Sequence, residues 1–361
     1  MNGNLLQRPE RDHKARRNVH VKAFVFFEQE AGMKLYVRAP YSEARLEELK
    51  TWFDEVVYEP WTDTGERYYE DEMLENLLKV KPDALITELD RITAKVLEGY
   101  HGLKFIGDCR ATPANIQVEE CTKAGIPLLC TPGRNTMAVA EMVVGLMICH
   151  LRRVIPAVEW TREGKWVQGT TPYYLWMGNE LSGKKIGFVG YGQISRAVTK
   201  LLEGFECDIS FYDPFIEGDV GHAHKKSLEQ IFSESDIVTL HLPVNDGTKG
   251  LIKESHFRMM KPTALFVNAA RSAIVEDYGA LKKVLNEKAI AGAVIDVLDT
   301  EPPTEEDLSI AYCPNTIVTP HTCGATFEVT DHQADIMNDR IRKWMDGKDL
   351  EKIVYNRDVL K

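Results

Sequence analysis

Residues 184–213 read KKIGFVGYGQISRAVTKLLEGFECDISFYD, and this stretch constrains the fold more tightly than any other part of the chain. An apolar run at 186–189 enters Gly190-Tyr191-Gly192, after which apolar residues recur at Ile194, Ala197, Val198, Leu201, Leu202 and Phe205. That recurrence is the spacing of one helical face. A second apolar run, 209–212, ends at Asp213, 23 residues beyond Gly190. Strand, glycine turn, helix and strand therefore follow in order, with an acid close to the spacing that separates a dinucleotide-binding turn from its ribose-binding carboxylate.

Glycine lets the backbone turn sharply and approach a pyrophosphate, and the N–H groups and positive dipole end of the following helix offset phosphate charge. Gly190, Gly192, Gln193 and Ile194 are thus expected to meet the phosphates of a dinucleotide, and Asp213 the two adenosine ribose hydroxyls. A carboxylate there repels a 2′-phosphate, and no Arg or Lys follows at Pro214, Phe215 or Ile216 to accommodate one, so NAD is expected over NADP. A Gly-x-Gly by itself would be read as an ordinary turn; here four consecutive elements agree. One position departs from the fingerprint: Ser195 stands where a third glycine is usual, and its Cβ and hydroxyl must fit between helix and strand.

The 361 residues are enough for two domains, each with a core large enough to be stable without covalent staples. The formal charge is −11, and the only basic cluster, Arg8, Arg11, Lys14, Arg16 and Arg17, reads as a solvated terminus, so nucleic-acid binding has little support. Seven cysteines, an odd number with no Cys-x-x-Cys, argue against a disulfide framework or a zinc site. The start of the chain lacks the apolar core of a signal peptide, and the longest hydrophobic stretch, around 137–151, contains Glu141 and falls short of a membrane span. A soluble, cytoplasmic protein with no membrane partner is expected.

Strand patterns at 21–27, 83–87, 103–107 and 126–129, with a helix at 42–53, imply a first α/β domain. The turn formers of 131–135 precede a long helical pattern running through Val154 and mark a boundary. Further strands are expected at 236–241, 264–268, 290–296 and 316–319, with a helix at 278–288, bringing the second sheet to about six strands. A final helix at 329–344 is placed so that it can return to the first domain. The expected fold class is α/β: a Rossmann, doubly wound parallel sheet over 132–326 binds NAD. It is inserted into a flavodoxin-like α/β substrate domain made of 1–131 and 327–361, with a cleft between the two.

Three polar groups follow expected strands: Arg271 after FVNAA, Glu301 after Asp296, and His321 after VTP. The carboxyl ends of strands in an open sheet define the ligand crevice, so all three can converge there. An arginine fork suits a carboxylate, a histidine moves protons near neutral pH, and a nearby glutamate favours the imidazolium. Together they are the parts needed for hydride exchange at a 2-hydroxy or 2-oxo acid. Singly, each also has a plainer reading: a structural hydrogen bond for His321, an ion pair for Arg271, a surface turn for Glu301.

With these motifs in order, the chain resembles the D-isomer-specific 2-hydroxyacid dehydrogenases, the family that includes phosphoglycerate dehydrogenase, over 103–326. The shared motifs are NTMAVAE at 135–141, the glycine turn, His241-Leu242-Pro243 with Thr248, FVNAARS at 266–272, GAVIDVLDTEPP at 292–303 and Thr319-Pro320-His321. The resemblance implies that Arg271 orients the substrate, that His321 is the general acid/base, and that Glu301 holds His321 and raises its pKa. It implies further that Asp296 holds the nicotinamide carboxamide, and that Pro243, Thr248 and Ala270 line the cofactor. A helix cap and loop fillers are the plainer alternatives for Asp296, Pro243 and Ala270. Departures stand at Ser272, where glycine often follows the arginine, and at Gln117, where aspartate is frequent.

In such enzymes a first-domain loop meets the substrate carboxylate, and the matching residues are Arg110, Ala111 and Thr112. Arg110 suggests a second anionic group such as phosphate, with an ordinary surface ion pair as the alternative. The implied substrate is a 2-hydroxy or 2-oxo acid, with D-3-phosphoglycerate the leading named candidate. The chain ends soon after the returning helix, so no serine-binding regulatory domain is expected. A homodimer is implied, through the 137–151 helix and Tyr173-Tyr174-Leu175-Trp176, although both segments also read as intramolecular core. Two alternatives stand beside this reading: a NAD-sensing, corepressor-like interaction protein, and a formate dehydrogenase.

Overall fold

Short, wholly apolar runs become strands when helices can cover both of their faces, and this chain builds two such sheets. A computed structural model describes residues 32–361. The strand expected at 21–27 and the basic residues Arg8, Arg11, Lys14, Arg16 and Arg17 lie outside the described residues. The chain divides into two units, one containing 32–131 and 334–361 and the other Pro132–Gln333.

In the first unit, strands β1 (Lys34–Val37), β2 (Glu55–Tyr58), β3 (Ala84–Thr87), β4 (Phe105–Asp108) and β5 (Leu128–Cys130) stand in the order β2-β1-β3-β4-β5. All pairs are parallel, and the order is that of flavodoxin. Alternate residues serve opposite faces: Leu35, Val37, Ala84 and Ile86 join one apolar core, Tyr36 and Leu85 the other.

The second unit contains β6 (Lys185–Val189), β7 (Asp208–Tyr212), β8 (Ala223–Lys225), β9 (Ile237–Leu240), β10 (Leu265–Asn268), β11 (Gly292–Ile295) and β12 (Thr316–Val318). Their order is β12-β11-β10-β9-β6-β7-β8, again all parallel. Chain order reverses between β6 and β9, the switch point at which a doubly wound sheet leaves a crevice at its carboxyl edge. The same alternation divides the core: Phe266, Ala293 and Ile295 face one side, Leu265, Val267 and Val294 the other.

Four elements differ from the sequence reading. The second sheet has seven strands rather than six, because β8, of sequence AHK, has no apolar run and is defined by pairing with β7. The helical pattern expected through Val154 breaks: one helix spans Thr136–Leu151, Arg153 adopts a left-handed φ of 53°, and a second helix spans Val154–Arg162. In the first unit β1 and β2 went unrecognised, β2 being a half-exposed edge strand of four residues. The last helix, Glu328–Met345, changes unit at 333–334, and its Ala334, Met337 and Ile341 pack in the core of the first unit.

Among the described residues, no helix is long and apolar enough to cross a membrane, and no His, Cys, Asp and Glu cluster is arranged to hold a metal ion. None of the seven cysteines is in a disulfide.

Just past β9, the His241 ring lies beside Phe188, with centroids 5.8 Å apart; Nε2 is 3.0 Å from the Thr239 hydroxyl, and Nδ1 is buried without a partner. Burial pushes its pKa down to about 3, from an ordinary 6.5. A histidine that stays neutral when folded but binds a proton when unfolded contributes stability that is present above pH ~6.5 and lost as pH falls below it. By pH 5 the loss is about 2 kcal/mol. His150 and His256, also lowered by burial, act in the same direction. The melting temperature should therefore fall between pH 7 and pH 5, and His241→Phe should make that fall shallower. An unchanged pH slope in the variant would contradict the assignment.

Candidate active site

β6 leads into Gly190, whose φ is +87° and where a methyl group would lie 2.4 Å from Leu242 Cδ2 and 2.6 Å from the His241 carbonyl oxygen. No side chain fits there. At Gly192 the opposite holds: a methyl group would find nothing within 4 Å. Gly192 is the N-cap of the Gln193–Leu202 helix, and no side chain caps it, so first-turn N–H groups including those of Gln193 and Ile194 remain available. The Ile194 side chain packs against the core, and a methyl group on Gly133 would come within 2.5 Å of Gln193 Oε1.

Ser195 is fully buried and donates its hydroxyl to the Gly190 carbonyl at 2.6 Å. The residue in place of a third glycine thus satisfies its polar atom by tying the helix to the glycine turn. Asp213 accepts the Tyr191 N–H on Oδ2 and the Phe215 N–H on Oδ1, both at 2.9 Å. Each oxygen keeps further acceptor capacity. Open space at Gly192, uncapped N–H groups and this carboxylate suit the phosphates and ribose of a dinucleotide.

Beyond β9, the turn from Pro243 to Thr248 is held by the threonine, whose hydroxyl donates to the Pro243 carbonyl at 2.6 Å and accepts the Asn245 N–H at 2.8 Å. Beyond β10, the buried Asn268 accepts the Ala270 N–H at 3.1 Å and donates to the Arg271 carbonyl at 3.1 Å. The exposed Arg271 guanidinium donates to the Ala270 carbonyl at 2.7 Å, and no carboxylate pairs with it among the described residues.

Beyond β12, His321 Nδ1 lies 2.8 Å and 3.0 Å from the two Glu301 carboxylate oxygens. With Nδ1 engaged, Nε2 is the nitrogen left to exchange a proton. His321 has a left-handed φ of 54°, uncommon outside glycine. Asp296, only 1 % exposed, holds this loop: Oδ1 accepts the Thr319 hydroxyl at 2.6 Å and the Thr322 N–H at 2.9 Å, and Oδ2 accepts the Cys323 N–H at 3.0 Å. The Asp296 carbonyl accepts the His321 N–H at 2.9 Å. Burial next to Asp296 pushes the Cys323 thiol pKa up, which keeps it neutral.

Arg271 follows β10 and His321 follows β12, with β11 between them, so the strand ends that carry them are about 10 Å apart. Arg110, Ala111 and Thr112 belong to the first unit, in the turn after β4. Thr131 N–H donates to the Arg110 carbonyl at 2.8 Å, Ala111 and Thr112 are exposed, and no carboxylate pairs with Arg110 among the described residues.

Residues 144–323 match the NAD binding domain of the D-isomer specific 2-hydroxyacid dehydrogenases. The Bacillus subtilis protein YoaD, assigned to the 2-hydroxyacid dehydrogenases, is 42 % identical over 331 residues, covering 91 % of this chain and 96 % of that protein. The chain belongs to the D-isomer specific 2-hydroxyacid dehydrogenases. This dehydrogenase is also 36 % identical over 336 residues to a glyoxylate reductase of Thermofilum pendens, covering 91 % of this chain and 96 % of the relative. The crystal structure of the Thermus thermophilus protein TT0316 shares the fold with a TM-score of 0.74 and 27 % identity, covering 90 % of this chain and all of that one.

The sequence reading missed two supports of the site, Asn268 and the loop-bracing side of Asp296. A buried asparagine closing an otherwise apolar strand was the available signal for the first. The glycine turn generates a paired prediction. Gly190→Ala should lower the melting temperature, because the methyl group meets backbone. Gly192→Ala should fold normally yet weaken NADH binding, since its methyl group fills space the protein leaves open. Calorimetry and NADH fluorescence titration separate the two, and equal NADH affinity in wild type and Gly192→Ala would reject the cofactor placement.

Proposed function

We propose that this dehydrogenase interconverts a 2-oxo acid and its D-2-hydroxy acid with NAD as redox partner, the observation that carries the reading being the Glu301–His321 pair beyond a strand end close to that of Arg271. The nicotinamide, when bound, supplies or accepts the hydride at C2. Arg271 offers a two-pronged donor to the substrate carboxylate. In reduction His321 Nε2 gives its proton to the carbonyl oxygen, and in oxidation it takes the hydroxyl proton. Glu301 fixes the imidazole by engaging Nδ1. The acceptor capacity left on Asp296 would serve the carboxamide, and Pro243, Thr248 and Ala270 would line the cofactor.

Asp213 supports NAD over NADP, because its carboxylate suits ribose hydroxyls and repels a 2′-phosphate. Relatives named glyoxylate reductases support a small 2-oxo acid as substrate. A second reading, a phosphorylated acid such as D-3-phosphoglycerate, is favoured by Arg110, a guanidinium without a carboxylate partner among the described residues. We further propose a homodimer, in which a second copy covers the exposed surface of Trp166, Tyr173, Tyr174 and Met177.

A panel of 2-oxo acids assayed with NADH and NADPH tests the activity: turnover with NADH and its near-complete loss in His321→Ala, with NADH binding retained, is the expected result. Tight NADH binding with no oxidation across the panel would favour a sensor instead. Arg110→Ala should raise KM selectively for phosphorylated substrates if the second reading holds, whereas an equal change for glyoxylate would reject it. Sedimentation should give a dimer that Tyr173→Asp with Tyr174→Asp converts to monomer; a monomeric wild type would end that proposal.

A further inference from the structure

Tyr278 is a buried phenol at the start of the Tyr278–Asn286 helix, and nothing in the reaction described above uses it. Its hydroxyl accepts a hydrogen bond from Asn268 Nδ2 at 2.9 Å and donates to the Val297 carbonyl at 3.3 Å. The second Nδ2 hydrogen of Asn268 goes to the Arg271 carbonyl, and Asn268 Oδ1 accepts the Ala270 N–H. The Ala270 carbonyl in turn receives the Arg271 guanidinium. Every polar atom of this buried set is paired. The set joins the exit of β10, which carries Arg271, to the exit of β11, where Val297 begins the segment leading to Glu301.

We infer that Asn268 and Tyr278 are positioning residues that aim Arg271 at the substrate carboxylate. This rests on the function proposed above. Asn268 grips the Ala270–Arg271 backbone through one N–H and one carbonyl, and that backbone presents the oxygen on which the guanidinium rests. Tyr278 occupies the remaining Asn268 donor, so the amide is fixed in one orientation. Burial pushes the Tyr278 pKa up, keeping the phenol protonated and able to donate. Loss of the hydroxyl leaves an Asn268 N–H and the Val297 carbonyl buried without partners, and the amide is free to shift.

The test is Tyr278→Phe, which keeps the ring in its apolar core, alone and combined with Arg271→Lys. Glyoxylate kinetics at saturating NADH, oxamate inhibition and NADH titration are measured on each protein. The single variant should raise KM for glyoxylate and Ki for oxamate about tenfold while NADH affinity stays within about twofold. In the Arg271→Lys background the same change should add less than about twofold, because the residue acts through Arg271. Asn268→Ser, which removes the clamp from its other side, should show the same pattern. An unchanged KM, an equal loss of NADH and oxamate binding, or a full tenfold effect in both backgrounds would each overturn the role. A wild type inert towards every 2-oxo acid would overturn the function itself, and this role with it.

Discussion

Asp296 is the carboxylate on which the carboxyl edge of the second unit's sheet depends. A buried charge is costly unless hydrogen bonds replace its hydration, and three protein donors from Thr319, Thr322 and Cys323 do so here. Those donors all lie within the five residues 319–323, centred on His321. The exchange is therefore mutual: the loop solvates the carboxylate, and the carboxylate holds the loop in a conformation that includes a left-handed histidine. The backbone of Asp296 extends the same support: its N–H donates to the Asn268 carbonyl and its carbonyl accepts the His321 N–H. His321 is thus anchored, through Asp296, to the strand that carries Arg271.

Around that edge the molecule separates stability from chemistry by position along each strand. The middles of β10 and β11 are apolar and alternate between two cores, while the carboxyl ends of β9, β10 and β11 release polar residues in turn: His241, Asn268 and Arg271, then Asp296. The groups at the outermost positions, Arg271, Glu301 and His321, are exposed. Behind them, in a buried layer, Asn268 and Asp296 are hydrogen-bonded, and they fix the backbone of the loops that follow β10 and β12. Ser195 belongs to the same layer on the nucleotide side, where a hydroxyl bonded to the Gly190 carbonyl does what close glycine packing does elsewhere.

Much of this was legible in the residue pattern because the relevant signals are local. The glycine turn, its helix and Asp213 lie within one βαβ unit, and short range fixes their relation. Strands β9 to β12 are apolar runs bounded by turn residues, so their existence could be read directly. Of the strands that failed to register, β2 and β8 had weak local character: β2 is a half-exposed edge, β8 is Ala-His-Lys, and each becomes a strand because a neighbouring strand offers its unpaired edge. The break at Arg153 lies inside an apolar helical pattern and was equally unmarked.

By itself the sequence determined the strand–turn–helix unit that holds the glycine turn and the attachment of Arg271, Asp296 and His321 to the exits of successive strands, because these follow from residue type and short-range periodicity. Tertiary structure alone decided which nitrogen of His321 is engaged by Glu301, how Ser195 is accommodated, and which buried side chains brace the site. The partners are not neighbours in the chain, Asp296 and Cys323 being 27 residues apart and Asn268 and Tyr278 10, and hydrogen bonds act only over about 3 Å. Residue type lists the possible partners, and only the folded backbone selects among them.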